Sequence, residues 1–386
     1  MPRLLLCTDT FLPQINGVSL VTARSVEGLT RRGWECALVA PRYPEARAAA
    51  DATHVTSIPG FPLPLYPEIR VSRPPHRALR EVVRTHRPDL IHSVTEFVIG
   101  RAGRAIAHAT GTPFVSSFHT DFGRYAAAWG VPFLRGAVDR ILGAFHRQAA
   151  CTFTPGRPAA QQLRAMRVGG VEVWGAGVDA RRFHPGRRSP TLRARLGLSG
   201  RFTFVFAGRL APEKNVDAVL DAFTLVRDAL EDRVRLVIAG DGPRRPALER
   251  RAGDGVRFLG MLDPVHEMPT LMASGDAFVF ASVTETLGLV ILEAMASGLP
   301  VLAVPEGGIS DHLVDGVNGL AVPTASPRAL AEAMTRVALD AVLTQRLGAA
   351  ALDTARARDW EAELDRLDVL LRGVIAAARV TPRAAG

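Results

Sequence analysis

The sequence predicts an α/β protein built from two doubly wound, Rossmann-like halves, and three observations carry that prediction. Short apolar runs alternate with amphipathic stretches along most of the chain. The alternation breaks once, over a Pro- and Arg-rich stretch near the middle, and then restarts. At 386 residues the chain also exceeds what one ordinary hydrophobic core supports, so two domains are expected.

In the first half, strand-length apolar runs fall at 3–7, 35–40, 90–92, 113–117 and 150–153. Helical patterns separate them at 19–32, 77–85, 101–108 and 132–148, the last with Leu134, Val138, Ile141, Leu142 and Phe145 on one face. Residues 181–200 lack a clear period and read as a linker. The second half repeats the pattern: strands at 202–207, 234–239, 256–259, 277–281 and 301–304, with helices at 216–230, 244–251, 287–297, 326–338 and 341–356. A last helix from 360 to about 378 carries Leu364, Leu367, Leu371 and Val374 on one face. The expected division is a first domain at 1–185, a second at 199–356, and a helix at 357–380 that packs back on the first.

Composition narrows the class. The chain is 47% apolar, yet no run of the length a bilayer requires is apolar enough to cross one. Leu4-Leu5-Leu6 is too short for a signal peptide and leads straight into Asp9, so it reads as a first buried strand. Cys7, Cys36 and Cys151 are far apart and lack metal-ligand spacing, which fits reduced core residues of a cytoplasmic protein. The net charge of +9 is lopsided: residues 1–185 hold 23 basic and 13 acidic residues, residues 186–386 hold 24 and 25. A basic first half suits an anionic partner such as a membrane surface, with Arg-rich usage on solvated helix faces as the competing reading. No aromatic-interleaved basic motif accompanies the charge, which argues against nucleic acid. Of the 47 basic residues only Lys214 is a lysine, as if a compact point charge were needed there.

The most informative stretch is 281–300, ASVTETLGLVILEAMASGLP, which follows the apolar run AFVF. Glu293 sits among Ile291, Leu292, Ala294 and Met295, where a carboxylate is costly unless it is paired. Glu285 precedes the helix, and the turn Thr286-Leu287-Gly288-Leu289 offers backbone N–H groups at its N-terminus, an anion site. Arg209 and Lys214 follow the first strand of the second half, where an open α/β sheet binds its ligand. A planar fork and a point charge suit a diphosphate. Gly17 follows the first strand of the first half and permits close approach to a phosphate. Each has a plainer reading: a solvated pair for Arg209 and Lys214, a buried ion pair for Glu293, a cap for Glu285, an ordinary turn for Gly17.

Five segments of the second half, GRLAPEKN (208–215), VIAGDGP (237–243), VRFLG (256–260), ETLGLVILEAMASGLPV (285–301) and VDGVNGLAVP (314–323), together resemble the retaining glycosyltransferases of family 4. TDTFLPQINGVS (8–19) and SFHTDF (117–122) resemble the branch of GDP-mannose-dependent mannosyltransferases and sulfoquinovosyltransferases that builds glycolipids. The resemblance implies a GT-B fold, two Rossmann-like domains with a deep inter-domain cleft and a C-terminal helix crossing back to the first. It implies that Arg209, Lys214 and Gly17 hold the donor diphosphate, that Glu293 holds the ribose hydroxyls, and that Glu285 faces the donor sugar. Thr286, Leu287, Gly288 and Leu289 would meet sugar and phosphate through their backbone. His119 would lie beside the transferred sugar, with Asp9 and Asp121 as candidates for sugar or acceptor hydroxyls.

The expected activity is transfer of a hexose, mannose from GDP-mannose first, to a glycolipid or lipid-linked acceptor. No metal and no cofactor is expected: no Asp-x-Asp motif is present, and Pro243 breaks Gly240-Asp241-Gly242 as a dinucleotide motif. A UDP-sugar-dependent glucosyl or sulfoquinovosyl transferase is the alternative within the family. A nucleotide-sugar epimerase shares the architecture but would convert donor without an acceptor. Peripheral contact with the inner face of the plasma membrane follows from the basic half as an expectation.

Overall fold

The computed structural model describes residues 1–44, 54–63, 66–119, 133, 135–175 and 177–380, and Asp121 and Leu134 lie outside them. They form two compact units. The first takes in the described residues of Met1–Gly123, Phe133–Gly175 and Glu361–Gly386, the second those of Ala176–Trp360.

The first unit contains β1 (Arg3–Cys7), β2 (Glu35–Pro41), β3 (His54–Ile58), β4 (Gly60–Leu63), β5 (Tyr66–Ser72), β6 (Leu90–Ser93), β7 (Phe114–Ser117), β8 (Cys151–Thr154) and β9 (Val171–Val173). Seven of them form one parallel sheet in the order β3-β2-β1-β6-β7-β8-β9, while β4 and β5 pair as an antiparallel hairpin. Leu4, Leu5 and Leu6 are essentially fully buried, as expected for a strand covered on both faces. The helices Gly17–Arg31, His76–His86, Val98–Thr110, Arg135–His146 and Arg157–Ala165 belong to this unit, and Leu5, Val39, Ile91, Ile99, Phe114 and Phe145 share its core. Ile141 departs from the expected apolar face and is exposed, whereas Leu142 and Phe145 are buried.

The C-terminal helix Trp360–Val380 packs on this unit along Leu364, Leu367, Leu371 and Ile375, with Ile375 in the place expected for Val374. Gly28 admits it, because a Cβ there would stand 2.4 Å from Leu364 Cδ1. Arg31 and Arg32 donate to Glu361, Trp34 Nε1 donates to Asp368, and the Arg372 guanidinium lies 5.3 Å over the Trp34 ring.

The second unit contains β10 (Phe202–Ala207), β11 (Val234–Ala239), β12 (Val256–Gly260), β13 (Ala277–Phe280), β14 (Val301–Ala303) and β15 (Gly319–Ala321), all parallel in the order β12-β11-β10-β13-β14-β15. The chain builds outward from β10 to β12, then restarts beside β10 at β13, so the switch point lies between β10 and β13. Phe206 and Phe280 stack across it at 5.5 Å.

Two expectations need correction. The 181–200 stretch is not structureless: it holds the helix Pro190–Arg195, capped by Ser189 Oγ, which accepts from Leu192 N–H at 3.1 Å. Arg193 then donates to the carbonyls of Ser274, Leu198 and Arg201, tying the stretch to the unit. The helix expected from 287 starts at Leu289, because Gly288 takes a left-handed φ of +73° just before it. No helix among the described residues is long and apolar enough to cross a membrane.

Candidate active site

The second unit forms its candidate site from the loops leaving β10, β11 and β13 at the carboxyl edge of the sheet. The β10 and β11 loops interlock through backbone. Gly208 N–H donates to Ala239 O at 3.0 Å, Leu210 N–H to Asp241 O at 2.9 Å, and Arg244 N–H to Leu210 O at 2.9 Å. A Cβ on Gly240 would fall 1.9 Å from Gly208 O, and one on Gly242 2.5 Å from Leu210 O. Only glycine permits this approach, which fixes the path of the backbone through Arg209. Gly240 N–H also donates to Gly260 O at 2.7 Å, tying in the end of β12.

Beyond Arg209, the short turn Pro212–Lys214 ends at Asn215 in a left-handed conformation and leads into the helix Val216–Leu230. That turn aims Lys214 Nζ at Glu285 Oε1, with which it forms an ion pair; both side chains are only 14% exposed. Ser282, just past β13, donates its Oγ–H to the same Oε1 at 2.7 Å and also lies 3.3 Å from Glu213 O. Lys214 Nζ is 5.8 Å from the centre of the Phe280 ring. The lone lysine and the first acid of the stretch therefore meet at the switch point.

The turn after Glu285 is pinned from behind. Gly308 N–H donates to Glu285 O at 2.8 Å, and Cβ atoms on Gly307 and Gly308 would stand 2.1 Å from Glu285 O and 2.3 Å from Thr286 O. Thr286, Leu287 and Leu289 are partly exposed and Gly288 is buried, so the turn presents its backbone at the N-terminus of the helix Leu289–Ala296. Glu293 is half-buried between Ile291, Leu292, Ala294 and Met295, which are fully buried. Arg209 is likewise half-buried. The second unit thus offers cations and helix-terminal N–H groups for an anion beside carboxylates suited to hydroxyls.

The first unit holds the remaining residues. Gly17 is exposed and opens the helix Gly17–Arg31, whose cap is closed by Asn16 and Ser19: Ser19 N–H donates to Asn16 Oδ1 at 2.9 Å and Asn16 N–H to Ser19 Oγ at 3.0 Å. Asp9, just past β1, caps the helix Val98–Thr110. Its carboxylate accepts from Thr95 Oγ1 at 2.7 Å, Ile99 N–H at 2.8 Å and Gly100 N–H at 3.2 Å. Burial raises its pKa while these donors pull it back. His119 follows β7; burial, and then the charge of His146, push its pKa down to about 4, so its imidazole is neutral at physiological pH. Ser282, Glu213 and the Gly307–Gly308 pair were not singled out in the sequence. For the glycines the signal was a Gly-Gly step just after a strand, and for Ser282 there was none.

Comparison with known proteins bears directly on this arrangement. A family model described as Glycosyl transferases group 1 matches residues 201–340, and one described as Glycosyltransferase Family 4 matches residues 15–182. A GDP-mannose-dependent alpha-mannosyltransferase of Mycobacterium tuberculosis is 32% identical over 370 residues, covering 95% of each chain. A sulfoquinovosyl transferase of Arabidopsis thaliana is 32% identical over 317 residues, covering 80% of this chain and 61% of its own. Among solved structures, a sucrose-phosphate synthase from Thermosynechococcus elongatus superposes with a TM-score of 0.83 at 20% identity, covering 98% of this chain and all of its own, which shows the fold.

Proposed function

The chain belongs to glycosyltransferase family 4, with the GT-B fold and the activity of a hexosyltransferase using a nucleotide sugar, and on that premise we propose that it moves mannose from GDP-mannose to an acceptor hydroxyl with retention of configuration. The observation that carries the site assignment is the meeting of Lys214 with Glu285 at the second unit's switch point, beside Arg209. Arg209 and Lys214 take the diphosphate, whose negative charge grows as the bond to the anomeric carbon breaks. Glu293 holds ribose hydroxyls, and Glu285 with the Thr286–Leu289 backbone holds the sugar.

The leaving phosphate oxygen accepts the acceptor's proton on the same face as the new bond forms, so no protein nucleophile and no metal is invoked. Gly17 serves the donor phosphate with the exposed N-terminus of its helix. His119, neutral, serves sugar hydroxyls as a hydrogen-bonding group. Asp9 acts on this reading by fixing the end of β1, since its oxygens are engaged by Thr95, Ile99 and Gly100.

The named specificity of the mycobacterial relative supports GDP-mannose. The sulfoquinovosyl relative favours a second reading, transfer of sulfoquinovose, for which a UDP-sugar is the expected donor. The acceptor is proposed to be a glycolipid or lipid-linked sugar reached from an anionic leaflet, on the strength of 23 basic against 13 acidic residues over 1–185. Turnover of GDP-mannose, UDP-glucose and UDP-sulfoquinovose over a panel of glycolipid acceptors decides the donor; release of GDP with no other nucleotide is the expected result. Arg209→Ala and Lys214→Ala should each lower kcat by about a hundredfold with a smaller change in donor affinity. Equal losses in both would refute a transition-state role. Sedimentation with anionic liposomes should fall with salt, and binding that ignores salt and lipid charge ends the membrane reading.

A further inference from the structure

A second polar cluster lies inside the first unit, and the transfer chemistry above does not use it. Glu96, just past β6, and His146, at the end of the helix Arg135–His146, are both buried, with Glu96 Oε1 3.3 Å from His146 Nε2. His146 Nδ1 is 2.9 Å from Ser116 Oγ, which is 3.0 Å from Thr152 Oγ1, so the cluster ties the loop after β6 to β7 and β8. A serine, a histidine and a carboxylate in a row suggest acyl transfer, but Ser116 and His146 are 0% exposed and no substrate reaches them. The cluster instead bears on its neighbour. The Phe118 ring meets the His146 ring edge-on at 5.7 Å, and Phe118 directly precedes His119.

We propose that Glu96 and His146 are positioning residues for sugar transfer, a buried pair that fixes the end of β7 and sets the charge behind the His119 imidazole. The proposal rests on the assignment of His119 to the transferred sugar. A carboxyl and an imidazole buried this deeply need partners for their polar atoms: Ser116 and Thr152 serve His146 Nδ1, while Glu96 Oε1 and His146 Nε2 have only one another to face, at 3.3 Å. Burial raises the Glu96 carboxyl's pKa and His146 pulls it back, while the charge of His146 adds to burial in lowering that of His119. The other charged or titratable groups near the cluster are Asp9 at the end of β1, which acts on Glu96, Arg101 through the Glu96 carbonyl at 3.0 Å, Arg104 over the Phe145 ring at 5.5 Å, and His92, which acts with His119 rather than with the pair; Asp139, on the helix that carries His146, pairs with Arg135.

The test uses the full chain with Glu96→Gln and the double variant E96Q/H146Q, whose amides keep volume and hydrogen bonding where His146→Gln alone would strand a buried carboxylate. Thermal melting establishes that each is folded. NMR titration of the His119 ring, assigned by its loss in His119→Gln, should move upward by about one pH unit in E96Q/H146Q, which removes the imidazole behind it, and should not move upward in Glu96→Gln, which keeps that imidazole. The acid limb of kcat should follow it, with kcat about tenfold lower at neutral pH and donor KM little changed. A His119 titration unmoved in the folded double variant overturns the action of the pair. A moved titration with an unmoved acid limb overturns the assignment of His119 to the sugar, and with it the role in transfer.

Discussion

Lys214 and Glu285 neutralise one another in the unliganded protein, so a diphosphate that takes Lys214 must displace the Glu285 carboxylate as well as water. At 14% exposure the pair is weakly screened, and the carboxylate is a real competitor. Glu285→Gln should therefore tighten GDP or UDP by roughly fivefold to tenfold, about 1 kcal/mol, while turnover of the full donor falls. Calorimetric Kd values for the free nucleotides read the first effect, and the gain should vanish on the Lys214→Ala background. Unchanged nucleotide affinity in Glu285→Gln would show that the pair breaks without cost. Lys214 was readable because one lysine among 47 basic residues is an anomaly of composition, and Glu293 because its neighbours are apolar. Ser282, which orients Glu285, was not: a serine after an apolar strand is the commonest of loop residues, and only its 2.7 Å hydrogen bond gives it a role.

Element boundaries followed burial. The strands β10 and β11 match their expected limits because parallel strands covered on both faces are largely apolar runs, here each with one polar residue and each ended by a glycine. The strands β3 and β9 escaped because their half-exposed edge positions dilute the apolar signal, and the buried β15 because it is only three residues long. The helix Pro190–Arg195 escaped because it is short and polar, with Arg193 serving carbonyl groups rather than an apolar face. The interlocked β10 and β11 loops carry their own prediction. Gly240 has φ +130° with Gly208 O 1.9 Å from where a Cβ would stand, so Gly240→Ala must move backbone on both loops. It should destabilise the second unit by roughly 2–4 kcal/mol and abolish nucleotide binding. Gly33→Ala, at φ +83° with nothing within 4 Å, carries only the conformational cost of about 1 kcal/mol. Urea unfolding of the two variants compares them directly, and equal losses would mean that the close approach is unimportant.

At the scale of the whole molecule, the two parallel sheets were legible because their alternation repeats, whereas the packing of the last helix was legible only in part: Leu364, Leu367 and Leu371 announce a face, but its arginine and tryptophan contacts join residues more than three hundred positions apart. Buried histidines make the stability of the chain depend on pH. His92 is 5% exposed, donates to or accepts from Ser117 Oγ at 2.8 Å, and is pushed down to about 3 by burial and then by the charge of His119. A folded pKa below the unfolded value of 6.5 means that the unfolded chain binds the proton first, so stability is full above pH 6.5 and declines as pH falls toward the folded value. Asp9 and Glu96, raised by burial, hold their protons longer when folded and oppose this decline at its acid end. His92→Gln isolates one histidine against that background, since glutamine can keep the bond to Ser117. Between pH 7 and pH 5 the wild type should lose about 2 kcal/mol more than the variant, from about 1.4 kcal/mol per pH unit below the unfolded pKa. Urea midpoints at the two pH values measure the difference, and parallel losses in both proteins would mean that His92 is protonated without cost in the folded state.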